Sequence, residues 1–310
     1  KAHISPSETY VFHGLKNSFA LKTKLVSDAV SSCLVSNDAN EVENFMHVDN
    51  FSRCSKLVAI GGGSVIDFAK RCALLYNKEL ITVPTVIAND GLVSPISVLN
   101  KAGLKISLPG KMPDRLLLIY DIIESAPEKY VNSSLLDSLS NTSACYDWRN
   151  YSDAFEPRYE VAAILSEVSA KHVSNISLNE STDKVRLAVE QQVLSGIAML
   201  IAGSSQPCGG SEHILCRIAN NFSELDGYLH GELVGSLSLF CMYIQKNMMR
   251  EHLNFVTQIF SDWRKIFDTI DKVISPETFF KGCHNVRQER KTVLNQFSEK
   301  ELCDKFKDFL

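Results

Sequence analysis

The sequence of 310 residues predicts an α/β domain with a Rossmann-like parallel sheet, followed by an all-α domain. Three observations predict this fold class. Short strand-like runs alternate with helical patterns in the first part, a glycine-rich turn directly follows one of those runs, and strand patterns fade after Ser125. We therefore place the domain boundary near Ala126-Pro127, with an α/β domain over 1–125 and an α-helical domain over 126–310.

The first domain contains five short β-rich runs that we expect in one parallel sheet. They are Thr9–Phe12, Cys33–Ser36, Leu57–Ile60, Leu80–Val83 and Leu116–Tyr120. Two further runs, Ile96–Leu99 and Leu104–Leu108, flank the glycine-containing segment 100–103. This pattern predicts an antiparallel hairpin beside the sheet.

The second domain shows apolar residues at helical spacing in four long segments. They are Tyr159–Ile176, Asp183–Ile201, Leu229–Met249 and Phe255–Ile270. Loops that contain Pro or Gly separate some of them, such as the loop over 203–210. These features predict a helical domain.

Composition limits the class of protein. Hydrophobic residues make up 45% and charged residues 22%, which is ordinary for a globular chain. The formal net charge is −4 and no basic block stands out, so there is no electrostatic case for nucleic acid or an anionic membrane. No apolar run reaches the ~18 residues of a membrane span. The longest, Val193–Ala202 and Leu237–Ile244, are interpreted as buried helices.

Cysteine usage and the N-terminus suggest a compartment. Nine cysteines occur without a Cys-x-x-Cys pair, which favours a reduced, cytoplasmic protein over a disulfide scaffold. The segment Lys1–Tyr10 lacks the apolar core of a signal peptide. It also lacks an initiator Met, so we expect a processed or trimmed chain.

A glycine-rich turn is the first candidate binding feature. The apolar run Leu57–Ile60 leads into Gly61-Gly62-Gly63-Ser64, and a helix start follows at Val65–Lys70. Glycines allow close backbone approach, and the N–H groups and dipole of a helix start favour a diphosphate. The spacing Gly-x-Gly-x-x-Gly is not met and Gly-Lys-Ser/Thr is absent. The glycines alone therefore predict either a diphosphate site or a tight turn without a ligand.

Two of the eight histidines form a second candidate feature. His213 and His230 each stand at the start of a probable helix after a glycine-containing loop. Two imidazoles and one carboxylate leave an open position on a divalent metal, which is the arrangement of a catalytic site. The spacing alone also fits two unrelated histidines.

The glycine turn and four other segments resemble a known superfamily. Gly-Gly-Gly-Ser-x-x-Asp-x-x-Lys after an apolar strand is similar to the iron-containing alcohol dehydrogenase and dehydroquinate synthase superfamily, and within it to the glycerol-1-phosphate dehydrogenase group. Four other segments share the resemblance: 83–95 with Pro-Thr, Asp-Gly and Ser-Pro, 201–213 with Gly-Ser-Glu-His, 229–232 with Leu-His-Gly-Glu, and 287–294. The resemblance implies a dehydroquinate synthase-like fold.

The resemblance implies NAD or NADP as a cofactor. The diphosphate would be held by Gly61, Gly62, Gly63, Ser64 and Val65. Asp67 and Lys70, three apart on one helix face, could pin the turn or reach the cofactor. The adenine and nicotinamide side would be lined by Thr85, Val86, Ile87, Ala88 and Ser94.

The resemblance also implies one divalent metal on Asp137, His213 and His230. Zinc is the first choice, and iron and nickel suit the same ligands. Asp147, before Trp148, is the competing carboxylate. The metal would polarise a ketone or lower the pKa of an alcohol, and the nicotinamide would transfer the hydride. Asp90 resembles a residue that contacts substrate hydroxyls, and it could instead belong to an Asn-Asp-Gly turn.

Three features depart from the group. Leu136 replaces the usual glycine before the metal Asp. Arg217 stands where a second histidine is usual, four residues after His213, and it either binds a substrate anion or points to solvent. The region before the glycine turn is short, and Asn37 and Asp38 either contact the cofactor or form a polar loop.

These features predict a metal-dependent NAD(P)-linked dehydrogenase of a small polyol or polyol phosphate. The simplest reaction interconverts glycerone phosphate and sn-glycerol 1-phosphate, with Asp90, Asp137 and Arg217 as catalytic residues. Glycerol dehydrogenase and a dehydroquinate-synthase-like cyclase are the enzyme alternatives, and a non-catalytic nucleotide-binding homologue is the alternative from another class. We expect a homo-oligomer with a small-molecule substrate.

Overall fold

The computed structural model describes residues 8–15, 17–27, 30–175, 183–283 and 290–310. The chain divides into two compact units, Lys1–Glu128 and Lys129–Leu310. The first is an α/β unit and the second is helical. The division lies at 128/129, against a predicted boundary at 125/126.

The first unit is built on a five-stranded parallel sheet and a two-stranded hairpin. The strands are β1 (Thr9–His13), β2 (Ser31–Leu34), β3 (Lys56–Gly61), β4 (Glu79–Pro84), β5 (Ile96–Lys101), β6 (Leu104–Pro109) and β7 (Arg115–Leu116). The sheet order is β2-β1-β3-β4-β7. The helices are α1 (Asn17–Leu25), α2 (Ala39–Glu43), α3 (Gly63–Leu75) and α4 (Tyr120–Glu124). In register, Leu57 pairs with Leu80 and Gly61 with Pro84.

Both faces of the sheet are covered, as a parallel sheet requires. On one face, aromatic side chains pack with ring centroids 4.9 to 6.1 Å apart, mostly edge to face. They are Tyr10, Phe12, Phe45, Phe51 and Phe68. On the other face, aliphatic residues from β1, β3 and β4 pack against those of α1, including Val11, Leu21 and Ile60.

The predicted hairpin is confirmed, with a tighter turn. β5 and β6 pair antiparallel, with Lys101 opposite Leu104. Ala102 and Gly103 have φ of 51° and 82°, so the turn has two residues in the left-handed region, as in a type I′ hairpin.

Two predicted strands of the sheet were partly wrong. β2 ends at Leu34, because the following segment leads to Asp38, whose side chain caps α2 by accepting from Asn40 and Glu41 N–H groups. The strand predicted over Leu116–Tyr120 stops early. Leu117 N–H still donates to Thr82 O, and Tyr120 then begins α4.

The second unit contains helices joined by loops, and no strand occurs within its described residues. The helices are α5 (Glu128–Tyr151), α6 (Glu160–Asn175), α7 (Lys184–Ala202), α8 (Ser211–Ala219), α9 (His230–Ile244), α10 (Arg250–Ile259), α11 (Trp263–Thr269), α12 (Pro276–Lys281) and α13 (Glu299–Phe309). α6 packs against α7, and α8 against α9. Asp183 caps α7 by accepting from Arg186 N–H.

The helix predictions were correct for α6 and α7 and wrong at two later places. Ile176, the predicted end of α6, lies outside the described residues. α9 ends at Ile244, before Lys246 with a φ of 58°. The single helix predicted over Phe255–Ile270 is two helices, because Phe260 has an extended φ of −142° that interrupts the turn.

α7 is long and apolar enough to cross a membrane by length and composition, with a mean hydropathy of 1.3. Within the described residues it is the one such helix. Of its 18-residue window, 56% is buried inside the fold, which is typical of a core helix. All nine cysteines are free and eight of them are buried, so no disulfide joins the elements.

Candidate functional site

Three predicted ligands converge in the second unit. Asp137 lies in the middle of α5, His213 in the first turn of α8, and His230 at the start of α9. Asp137 Oδ1 is 3.8 Å from His213 Nε2 and 3.6 Å from His230 Nε2. One donor atom from each residue lies within 4.8 Å of the other two. Helix packing therefore brings together residues that are far apart in sequence.

The donor set fits a catalytic divalent metal. Metal–nitrogen and metal–oxygen bonds of ~2.0–2.2 Å place neighbouring ligands of one ion a little over 3 Å apart. The distances from Asp137 to the two histidines, 3.6 and 3.8 Å, are slightly longer than that. Asp137 is buried and its carboxylate faces both rings, whereas 39% of the His230 side chain is exposed. The open side leaves room for a fourth ligand.

Close helix packing explains Leu136, the departure before Asp137. Leu136 is fully buried on α5, and a Cβ added to Gly235 of α9 would stand 2.7 Å from Leu136 Cβ. Gly231 N–H of α9 also donates to Ser133 Oγ of α5 at 3.1 Å. The glycine that lets the two helices approach is therefore Gly235 of α9, and α5 can carry the larger Leu136 at this contact.

Each histidine has a contact at its second ring nitrogen that the sequence analysis missed. His213 Nδ1 lies 3.0 Å from Glu212 Oε1, and His230 Nδ1 lies 3.6 Å from Cys216 Sγ. Both partners come from α8. The sequence indicated these residues only by their positions, since Glu212 directly precedes His213 and Cys216 follows it by three residues.

Asp147, the competing carboxylate, is placed elsewhere. It is buried and accepts hydrogen bonds from Ser211 N–H, Val293 N–H and Gln245 Nε2, at 2.7 to 3.0 Å. Burial, with the nearby charge of Glu212, raises the pKa of Asp147 to about 7. Asp147 therefore stabilises the start of α8 through the Ser211 N–H. Among the described residues, the group that could hold a metal is Asp137, His213 and His230, without Asp147.

Two arginines lie near the histidine pair. Arg217 is exposed on α8, one turn after His213. Arg290 Nη2 donates to Ser205 Oγ at 2.8 Å. Arg290 Nη1 and His213 Cγ both lie within 3.5 Å of the point where a Cβ on Gly209 would stand. Burial lowers the pKa of Arg290. Arg290 lies in the segment 287–294, which resembles the family but gave no role for this residue, and Arg287 lies outside the described residues.

In the first unit, the glycine turn joins β3 to α3 as predicted. Gly63 and Ser64 are exposed at the start of α3, where the first N–H groups of a helix have no intrahelical partner. A Cβ on Gly61 would stand 2.7 Å from Val65 Cγ2, so the helix start packs directly on that glycine. A Cβ on Gly62 would stand 3.1 Å from Val86 Cγ1. The turn and the segment after β4 are therefore neighbours.

Lys70 is fully buried and holds the loop after β4 against α3. Its Nζ donates to Gly91 O at 2.7 Å and to Ser94 Oγ at 3.3 Å, and it lies 3.3 Å from Asp67 Oδ1. Burial raises the pKa of Asp67 to about 6, against the pull of Lys70. These contacts anchor the loop after β4 and not the glycine turn itself, and the two predicted roles, pinning the turn or reaching the cofactor, stay predictions.

The remaining predicted residues of this unit lie around the same loop. Thr85, Val86 and Ala88 are partly exposed, while Ile87 and Ser94 are buried. Asn89 Oδ1 accepts from Gly91 N–H at 3.0 Å, so Asn89 forms the turn and Asp90 is partly exposed within it.

Known proteins resemble the chain in sequence. Residues 15–127 match the family described as iron-containing alcohol dehydrogenase. The chain is 31% identical to glycerol-1-phosphate dehydrogenase [NAD(P)+] of Metallosphaera sedula over 255 residues, which cover 77% of this chain and 68% of that protein. It is 32% identical to the enzyme of that name from Methanothermobacter thermautotrophicus, covering 79% and 72%.

Solved structures confirm the predicted fold. A probable glycerol dehydrogenase from Sinorhizobium meliloti 1021 aligns with a TM-score of 0.71 at 17% identity, covering 97% of this chain and 90% of that one. Sulfoacetaldehyde reductase from Bifidobacterium kashiwanohense, solved with NAD⁺, aligns at 0.68 with 17% identity, covering 97% and 90%. These structures show the fold, and the relatives that are 31% and 32% identical show that the chain belongs to the glycerol-1-phosphate dehydrogenase family of the iron-containing alcohol dehydrogenases.

Proposed function

We propose that this chain is a metal-dependent NAD(P)-linked dehydrogenase that interconverts glycerone phosphate and sn-glycerol 1-phosphate. The observation that carries the proposal is the convergence of Asp137 Oδ1 with His213 Nε2 and His230 Nε2. The relatives named glycerol-1-phosphate dehydrogenase [NAD(P)+] support the substrate and the cofactor.

Asp137, His213 and His230 would hold one divalent metal, with zinc as the first choice and iron or nickel as alternatives. When bound, the metal supplies Lewis-acid polarisation of the substrate oxygen. The chain's part is to fix the three donor atoms on separate helices, with the carboxylate buried and the open side toward the substrate. Asp90 would accept a hydrogen bond from a substrate hydroxyl.

The first unit would bind the nicotinamide cofactor. Gly61, Gly62, Gly63, Ser64 and Val65 would form the cradle for its diphosphate, because a helix start favours an anion. Val65 N–H donates to Gly62 O at 3.1 Å, so the N–H groups at the exposed Gly63 and Ser64 would contact the phosphates. Thr85, Val86, Ile87 and Ala88 would line the rest of the cofactor. Asp67, Lys70 and Ser94 would act by holding that loop in place, as their mutual contacts support.

The substrate phosphate would be bound by arginine. Arg217 lies one turn after His213 on the same helix, and Arg290 lies beside the His213 ring across Gly209. A guanidinium matches phosphate oxygens in geometry and charge. Arg217 and Arg290 would therefore select phosphorylated over neutral polyols.

A second copy of the chain would cover exposed apolar side chains of α6 and of the end of α7. Val161, Ile164 and Val168 of α6 are 58%, 47% and 47% exposed, and Leu200 and Ile201 at the end of α7 are also exposed. Exposed apolar patches of this kind typify subunit interfaces. Light scattering tests the homo-oligomer, and Ile164→Glu should lower the measured mass.

The nine free thiols support a reducing compartment such as the cytoplasm.

The direct test of the reaction is oxidation of NADH and NADPH with glycerone phosphate, compared with dihydroxyacetone. We expect turnover with the phosphorylated ketone and much weaker turnover with the neutral one. Phosphate release without net change in NADH would indicate a cyclase. Absence of both metal and turnover would indicate a binding protein.

A further inference from the structure

We infer that Glu212 is the positioning residue of the proposed metal site, fixing His213 in the tautomer that presents Nε2 to the metal. The inference rests on the proposed function, because it assumes that His213 is a ligand. Glu212 is fully buried, and its carboxylate contacts Nδ1 of the His213 ring rather than Nε2, the nitrogen that would bind the metal.

The geometry determines which nitrogen carries the proton. Glu212 Oε1 lies 3.0 Å from His213 Nδ1. An ionised carboxylate only accepts hydrogen bonds, so in the neutral ring Nδ1 carries the proton and Nε2 carries the lone pair. Nε2 is also the ring atom that faces Asp137 Oδ1, at 3.8 Å. A neutral ring with the proton on Nδ1 and the lone pair on Nε2 is the form that a metal ligand requires.

Glu212 is itself held rigidly. Oε1 also accepts the Gly210 N–H at 2.6 Å, at the start of α8. The next N–H, that of Ser211, donates to Asp147 at 2.7 Å. Backbone donors at the start of the helix therefore compensate two buried carboxylates, and the Gly210 N–H and the His213 ring hold the same Glu212 oxygen, Oε1.

The other histidine provides an internal comparison. His230 Nδ1 lies 3.6 Å from Cys216 Sγ, and a thiol is a weak hydrogen-bond partner. His230 also points Nε2 at Asp137 Oδ1. Removing the Glu212 carboxylate should thus alter His213 and leave the ring of His230 unchanged.

Two substitutions separate charge from hydrogen bonding. Glu212→Gln keeps an acceptor without the charge, and Glu212→Leu keeps comparable bulk without an acceptor. Zn²⁺ affinity, measured by chelator competition, should fall by ~10-fold in the first variant and up to ~100-fold in the second. The control is Glu232→Gln. Glu232 is at the start of α9, close to His230, but its carboxylate accepts from Leu229 N–H. This control should bind Zn²⁺ as the unmodified protein does.

The second measurement needs neither metal nor activity. In the metal-free protein, ¹⁵N chemical shifts of the ring, assigned through His213→Gln, report which nitrogen is protonated. We expect Nδ1–H for His213 in the unmodified protein and a mixture of tautomers in Glu212→Leu, with His230 unchanged.

Several results would overturn the inference. Nε2–H at His213 in the unmodified protein does so without any variant, which covers the case in which Glu212→Leu does not fold. Equal Zn²⁺ affinity and an unchanged His213 tautomer in folded Glu212 variants do so as well. If the unmodified protein binds no Zn²⁺, the proposed metal site fails, and the tautomer measurement still decides the role of Glu212.

Discussion

Gly231 lies so close to Ser133 that a Cβ added to it would stand 1.8 Å from the Ser133 carbonyl oxygen. Gly231 directly follows His230 on α9, and Ser133 lies one turn before Asp137 on α5. The spacing of these two helices therefore depends on the absence of a side chain at 231. It also sets the distance between His230 and Asp137.

Gly231→Ala should separate α9 from α5. The methyl group meets backbone rather than a flexible side chain, and overpacking of this kind costs ~1–3 kcal/mol or more in the free energy of unfolding. Metal content should fall together with stability. Gly227→Ala is the matched control, since a Cβ there meets nothing within 4 Å. Normal stability and metal content in Gly231→Ala, measured by urea unfolding and elemental analysis, would contradict this packing argument.

Gly62→Val should weaken cofactor binding. A Cβ at this position already approaches Val86 Cγ1 to 3.1 Å, and the branched side chain would occupy the approach to the helix start. We expect NADH or NADPH affinity to fall more than ~10-fold, or ~1.4 kcal/mol, in fluorescence titrations. Gly63→Ala adds its methyl group to open space, so its unfolding midpoint should match that of the unmodified protein. Unchanged titrations with folded Gly62→Val would reject the turn as the cofactor site.

Arg217→His should weaken the preference for phosphorylated substrate without abolishing turnover. A charge-assisted hydrogen bond contributes ~1.5–3 kcal/mol. The specificity constant for glycerone phosphate should therefore fall ~10- to 100-fold, while that for dihydroxyacetone changes little. An unchanged ratio of the two constants would leave Arg217 as an outward-facing arginine. Arg290→Lys, assayed in the same way, reports the share of the second guanidinium.

His252 should make the protein less stable in mild acid. It is buried, its Nδ1 accepts from Met249 N–H at 3.2 Å, and burial lowers its pKa. In the unfolded chain, His252 binds a proton as the pH falls through ~6.5, whereas in the folded chain it stays neutral until a lower pH. Its contribution to stability is complete above that pH and is lost as the pH falls below it.

Urea unfolding between pH 7.5 and 5 checks the sign. The loss of stability on acidification should be smaller in His252→Gln than in the unmodified protein. His47→Gln, which changes an exposed histidine, should leave the profile as it is. An equal loss in all three proteins would show that His252 is not the responsible group.

The sequence predicted the parts of the fold whose side chains follow a simple period. β3, β4 and the hairpin were found because their apolar residues alternate or run continuously between turn residues. α5 was missed, although it carries Asp137, because it buries serines on several sides. Ser134 and Ser138 pair with Gln192, and Ser143 pairs with Gln245. When buried polar side chains form hydrogen bonds across helices, the buried face is no longer apolar. The apolar spacing of 3.6 residues, on which helix prediction depends, is then lost.

The candidate site was predicted only through the resemblance. Spacing along the chain did not distinguish His213 and His230 from unrelated histidines, since their meeting point depends on how α5, α8 and α9 pack. Glu212 and Cys216 were missed because their role appears only once the ring orientations are known. The break at Phe260 was missed because apolar spacing continues through it.

Metal content in His230→Ala is the decisive measurement for the proposed metal site. We expect about one divalent metal per chain in the unmodified protein, by elemental analysis. In His230→Ala we expect loss of most of that metal and of NAD(P)H-dependent turnover, with an unchanged circular dichroism spectrum. Full metal occupancy in folded His230→Ala would contradict the assignment of Asp137, His213 and His230 as the ligands.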